Sequence, residues 1–183
     1  MPEFLFDGKQ TLAALHSLAD LLATRAVDHQ TLIVVGGSYL ALHELRESTR
    51  DIDSVTRLDE VTKQAILEIA QQHRYPNNWL NDAAAAFRPT GLGIENCAVL
   101  FEHQALTILG PSADWIFLMK LYAGRTIDHQ DLSRLWPIAP HFRSMWHRGG
   151  FRVVEVPGHH LWARARGAHR CRQFPAADRC HRR

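Results

Sequence analysis

The sequence predicts a small mixed α/β fold, with a short β-sheet flanked by helices. Short β-branched runs alternate with amphipathic helical stretches through the first half of the chain, and two closely spaced strands then precede two helices. The length of 183 residues, with 46% hydrophobic and 22% charged, suits one domain with a buried core.

Leu12, Leu15, Leu18, Leu21 and Leu22 recur at helical spacing, which predicts an amphipathic helix over residues 9–25. Residues 31–35 (TLIVV) form a β-branched run ending at Gly36-Gly37, as a buried strand does. Residues 38–45 suit a short helix with Ser38 as its N-cap. Residues 51–56 (DIDSVT) alternate in character and predict a second strand. A helix follows over 60–72, with Val61, Ala65, Ile66 and Ile69 on one face. Tyr75-Pro76-Asn77-Asn78 is a turn, and 79–87 is expected to be another short helix. Residues 97–101 (CAVLF) and 105–109 (ALTIL) form a hairpin, Pro111 opens a helix reaching residue 123, and 128–136 is a final helix stopped by Pro137 and Pro140. Trp79 and Trp115 are expected in the packing rather than on a binding surface.

Charge divides the chain. Residues 1–140 carry 11 Lys+Arg against 17 Asp+Glu, whereas 141–183 carry 10 Arg, no Lys, and only Glu155 and Asp178 as acids. The expected organisation is therefore a folded domain over 1–137 and a basic Arg/His-rich extension over 138–183. An arginine run can neutralise nucleic-acid phosphates, but the abrupt loss of lysine and acids after Pro140 favours a poorly ordered extension. His169, Cys171, Cys180 and His181 match no common zinc-finger spacing. His16 and His43 have no partner ligands at useful spacing.

No apolar run approaches the roughly 18 residues of a membrane span. MPEFLFDGKQ at the start lacks the basic segment of a secretion signal. Three cysteines are too few for a disulfide scaffold, so a cytoplasmic protein with no membrane partner is expected.

The chemistry concentrates in VVGGSYLALHELRESTRDID, residues 34–53. In a strand, residues i and i+2 share a face, so Asp51 and Asp53 project together while Ile52 turns to the core. Two adjacent carboxylates repel unless a cation sits between them. Magnesium, with manganese as an alternative, is the hard cation such a pair holds, usually shared with substrate phosphates. Gly36 and Gly37 allow backbone to approach a phosphate closely, and Ser38 can add a hydroxyl donor. A phosphate cradle beside a metal-binding pair is the equipment of nucleotidyl transfer.

Gly37-Ser38, a twelve-residue gap and Asp51-Ile52-Asp53 resemble the signature of the DNA-polymerase-β-like nucleotidyltransferase superfamily. A second stretch, LMKLYAGRTIDHQDL over 118–132, resembles the Lys…Arg…Asp…Asp segment of AbiEii/MenT-type nucleotidyltransferase toxins. The resemblance implies a polymerase-β-like fold, with Asp51 and Asp53 as metal ligands and Gly36, Gly37 and Ser38 at the triphosphate. Lys120 would face the phosphates, Arg125 would contact phosphate or fix Asp128, and Asp128 would complete the acidic site with Asp131 beside it. Glu102 and Glu95 are the alternatives for a third carboxylate. The implied reaction moves a nucleoside monophosphate from a triphosphate to an acceptor hydroxyl. Transfer RNA is the expected acceptor, and a cognate antitoxin protein the expected partner. A small molecule of aminoglycoside type, a protein hydroxyl, or a non-catalytic nucleotide-binding role are the alternatives. Arg46, Arg50 and Arg88 are the remaining basic candidates for substrate contact near the site.

Overall fold

The computed structural model describes residues 4–147, 154–156 and 159–161. Six helices flank a five-stranded mixed sheet, in agreement with the predicted fold class. The elements are α1 (Gly8–Thr24), β1 (Gln30–Val35), α2 (Gly36–Leu42), β2 (Ile52–Ser54), α3 (Glu60–His73), β3 (Leu80–Asn81), β4 (Cys97–His103), β5 (Leu106–Pro111), α4 (Ala113–Ala123), α5 (Asp128–Leu135) and α6 (Pro140–His147). A separate pair, β6 (Val154–Val156) and β7 (His159–Leu161), is antiparallel.

The sheet order is β3-β2-β1-β5-β4. β1 runs parallel to β5 and antiparallel to β2; β3 is parallel to β2, and β4 antiparallel to β5. Alternation along β1 sorts the core into two layers. Leu32 and Val34 join Leu15, Leu18 and Leu22 of α1 and Ile66 and Ile69 of α3 on one face. Ile33 and Val35 join Leu40 of α2, Ile116 and Phe117 of α4, and Leu132 and Leu135 of α5 on the other. The period of 2 in β1 and the helical stripe of α1 are thus two readings of one interface. α1 starts at a reciprocal cap in which Asp7 accepts from the Gln10 N–H and the Gln10 side chain accepts from the Asp7 N–H.

Several expected elements change. The helix expected over 79–87 is instead an extended piece and a 3-10 turn (Ala83–Phe87). Trp79 is fully buried and its indole N–H donates to the Ile66 carbonyl, while its own carbonyl accepts from the Ile52 N–H and so starts the β2–β3 pairing. Asn81 and Asp82 then take the N–H groups of Ala83 and Leu58 on their side chains, an alternative to helical bonding. Trp79 is a packing residue, as expected.

Pro111 closes β5 rather than opening α4, and Ser112 is the N-cap. Ser38 is not an N-cap: α2 begins two residues earlier, at Gly36, and Val35 precedes it. The second strand is three residues long, and Asp51 lies just before it.

The helix over 128–136 is not the last. After a 3-10 turn at Trp136–Ile138 the chain re-enters a helix with Pro140 at its first position, where a missing N–H costs nothing. Asp114 accepts the Phe142 N–H at 3.0 Å, and the Phe142 ring packs 5.0 Å from that of Phe117. Residues 169–171 and 180–181, which carry the nominal zinc set, lie outside the described residues. Among the described residues, no helix is long and apolar enough to cross a membrane.

Candidate active site

The antiparallel register of β1 on β2 sets Val35 opposite Asp53, so the residue after Val35 meets that carboxylate. That residue is Gly36, with φ +72°; a Cβ built on it would lie 2.9 Å from Asp53 Oδ2. Two requirements, a left-handed backbone and close approach to a charged oxygen, thus select glycine here. At Gly37 a Cβ would lie 2.5 Å from Thr49 Oγ1 and 3.3 Å from an Arg46 guanidinium nitrogen. The loop leading into Asp51 therefore packs directly on the glycine corner.

Ile52 is fully buried between the two aspartates, as the strand alternation requires. Asp51 and Asp53 are both half-buried. Burial pushes the Asp51 carboxyl above its ordinary value, against the pull of the Arg125, Arg50 and Arg46 charges. Burial and then the Asp51 charge push Asp53 the same way, offset in part by a hydrogen bond from Asn81 and by the charges of Arg125 and Lys120. Desolvated, mutually repelling oxygens are what a hard divalent cation relieves, so the pair fits magnesium or manganese. Among the described residues no three His, Cys, Asp or Glu side chains converge as a metal site.

A second carboxylate pair has the opposite character. The Lys120 ammonium, 4% exposed, lies 2.9 Å from Asp128 Oδ1 and 2.8 Å from Asp131 Oδ2. Arg125 Nε donates to Asp128 Oδ2 at 2.8 Å, and Arg46 Nη1 lies 3.3 Å from Asp131 Oδ2. The result is an alternating ladder: Arg46, Asp131, Lys120, Asp128, Arg125. Burial acts to raise Asp128, but hydrogen bonds from Arg125 and Lys120, with their charges, prevail and hold its carboxyl below its ordinary value. Three cations against two buried carboxylates leave a positive surplus beside the Asp51–Asp53 pair.

Members of both groups reach one cleft of about 710 Å³, whose lining includes Gly36, Asp53, Lys120 and Arg125. That volume is ordinary for a small-ligand site. Other sequence-selected residues do not line this cleft. Ser38 is fully buried and its hydroxyl donates to the Val35 carbonyl at 2.9 Å, so here it shapes the corner. Asp128 has both oxygens engaged by Lys120 and Arg125. Glu102 is on β4, separated from β2 by β1 and β5, and Glu95 lines a different cavity beside Tyr39 and Trp115. Arg88 donates twice to the Leu92 carbonyl, at 2.9 and 2.6 Å, and holds its own loop.

Sequence reading missed Asn81, which β3 sets opposite Asp53 and whose side chain acts to lower that carboxyl. It also missed the joining of Arg46 to Asp131, 85 positions away. A two-residue strand and a loop-to-helix contact carry no periodic signal that could have found them.

A glycine corner pressed against a strand-borne carboxylate, with a buried lysine and an arginine lining the same cleft, is an arrangement suited to phosphoryl groups. The chain belongs to a family described as nucleotidyltransferases of unknown function (DUF6036), whose model matches residues 10–135. No curated protein and no solved structure matches it. A nucleoside triphosphate is the substrate that this membership implies.

Proposed function

We propose that this chain transfers a nucleoside monophosphate from a magnesium-bound nucleoside triphosphate to a hydroxyl of RNA, with tRNA the acceptor. The observation that carries the reading is the register that sets Asp53 against Gly36 at the end of the cleft holding Lys120 and Arg125. Asp51 and Asp53 would hold the divalent cation, and Arg125 and Lys120 would offset phosphate charge across from them. When bound, such a cation supplies neutralisation of the attacking and leaving oxygens. The acceptor hydroxyl gives up its proton to solvent and its oxygen bonds to the α-phosphorus as the bond to the β-phosphate oxygen breaks, and pyrophosphate leaves. Asp128 and Asp131 act through Lys120 and Arg125, holding both cations at the cleft wall.

The RNA acceptor and a role as the toxin of a toxin–antitoxin pair are supported by the likeness of residues 118–132 to AbiEii/MenT-type toxins. The Arg50 charge beside Asp51 supports it too. A small-molecule acceptor is the second reading, favoured by the acid excess of residues 1–140. Incubation with each of the four labelled triphosphates, magnesium, and either total tRNA or an aminocyclitol separates them. Label in tRNA that Asp53→Ala abolishes supports the proposal; label in the aminocyclitol alone moves the acceptor to the second reading. No transfer to any acceptor contradicts both. Expression of the active chain should arrest growth, and Asp53→Ala should not.

A further inference from the structure

The charged side chains that line the cleft are Asp53, Lys120 and Arg125, while Ala83, Ala84, Phe87 and Pro89 from the segment after β3, with Met119 and Tyr122 of α4, supply an apolar wall. Ile116, Met119, Lys120 and Ala123 fall at i, i+3, i+4 and i+7, so one face of α4 carries both the ammonium and the apolar wall. The ammonium and the α4 part of that wall therefore stand in fixed relation on a rigid element. Phe87 is 56% exposed, and among the described residues no other ring packs on it. A single exposed ring is ordinary on a protein surface. This one continues an apolar wall that leads to a carboxylate, a lysine and an arginine.

We propose that this apolar wall holds the nucleoside of the triphosphate, with the base stacked on Phe87 and the ribose against Met119. The proposal rests on the nucleotidyltransferase reading of the same cleft and deepens it. Charge divides the ligand: the polyphosphate goes to Gly36, Lys120 and Arg125, which leaves the planar, weakly polar part of the ligand for the aromatic wall. Of the side chains on that wall only Tyr122 carries a polar atom. Stacking on a π-face serves every base, whereas discrimination among bases needs hydrogen bonds to their edges. The site should accept all four common triphosphates with affinities within a few-fold of one another.

The test is calorimetric titration of the full chain with the magnesium complexes of ATP, GTP, CTP and UTP, and with inorganic tripolyphosphate as the probe lacking a nucleoside. Phe87→Ala should weaken all four nucleotides about tenfold, the scale of one lost base–aromatic stack. Phe87→Trp should restore binding, and tripolyphosphate affinity should be the same in all three proteins. If tripolyphosphate binds the unaltered chain as tightly as the nucleotides do, the phosphate site stands and the nucleoside site is overturned. A preference of more than about tenfold for one base, or equal loss of tripolyphosphate in Phe87→Ala, also overturns it. Failure of the unaltered chain to bind any of the five probes overturns the proposal together with the reading beneath it.

Discussion

Asp51 and Asp53 lie two residues apart at the start of a strand, and Asp128 and Asp131 three apart on a helix. Both pairs sit near one cleft. Burial pushes both carboxyls of the first pair up, Asp51 despite three arginines in range, and the Asp51 charge adds to the rise of Asp53. The second pair is more deeply buried, yet Asp128 is held down, because Lys120 and Arg125 bond both its oxygens. The difference teaches that burial alone does not mark a metal site. A carboxylate whose charge is already matched supports its neighbours, and one whose charge is unmatched awaits a ligand.

The sharpest way to break this contrast is the same change in each pair. Asp53→Asn should reduce transfer more than ~100-fold, since even outer-shell partners of a bound metal cost ~10–100-fold. Its denaturation midpoint should stay equal or rise, because a repelling, desolvated charge has gone. Asp128→Asn should leave Lys120 inside with one partner fewer and cost about 3–5 kcal/mol in urea denaturation. A destabilised Asp53→Asn alongside an unaffected Asp128→Asn would reverse the roles assigned here.

Next in size is the glycine corner. Gly36→Ala should cost about 1–2 kcal/mol for its left-handed backbone and, by displacing Asp53, lower activity further than stability. Equal activity in a folded Gly36→Ala would show that the 2.9 Å approach has no bearing on the site.

Acid should separate the pairs as well. For Asp51 and Asp53 the folded-state value lies above the ordinary 3.8, so the folded chain binds more protons between the two and ionising them costs stability as pH rises through that window. Cation binding needs both ionised, so affinity should fall on acidification while pH is still above 3.8. Asp128 contributes stability that is full above 3.8 and lost only as pH falls through its lower folded value. Manganese release should therefore precede loss of near-ultraviolet circular dichroism in a titration; simultaneous loss would mean the pairs are not distinct.

The smallest expected effect is remote from both pairs. Phe142→Ala should cost about 1–2 kcal/mol by removing a half-buried ring from Phe117, with transfer by the remaining folded protein unchanged. Chains ending after residue 140 should show at least that loss, and chains ending after 147 should not.

Much of this was legible in the chain because it depended on local periodicity. Leucine spacing in α1 and the alternation around Ile52 needed no tertiary information. The aspartate pair stood out for a related reason: alternation buries Ile52 and leaves Asp51, just before the strand, and Asp53, within it, half-buried. Where reading failed, a long-range contact had overruled local preference. Residues 79–87 resemble a helix, but Trp79 is drawn into the core and Asn81 and Asp82 capture backbone N–H groups. Ser38 resembles a cap, but the left-handed Gly36 starts the helix earlier. Lys120 would ordinarily lead its charge to solvent; here two aspartates take it inside.

The proposed cation site is the Asp51–Asp53 pair rather than Asp128–Asp131. Electron paramagnetic resonance titration of manganese into the full chain, unaltered and as Asp53→Asn, tests it directly, in the presence of a nucleoside triphosphate. The account predicts a protein-dependent bound signal in the unaltered chain that disappears in a folded Asp53→Asn. Manganese binding of undiminished affinity in that variant would contradict it.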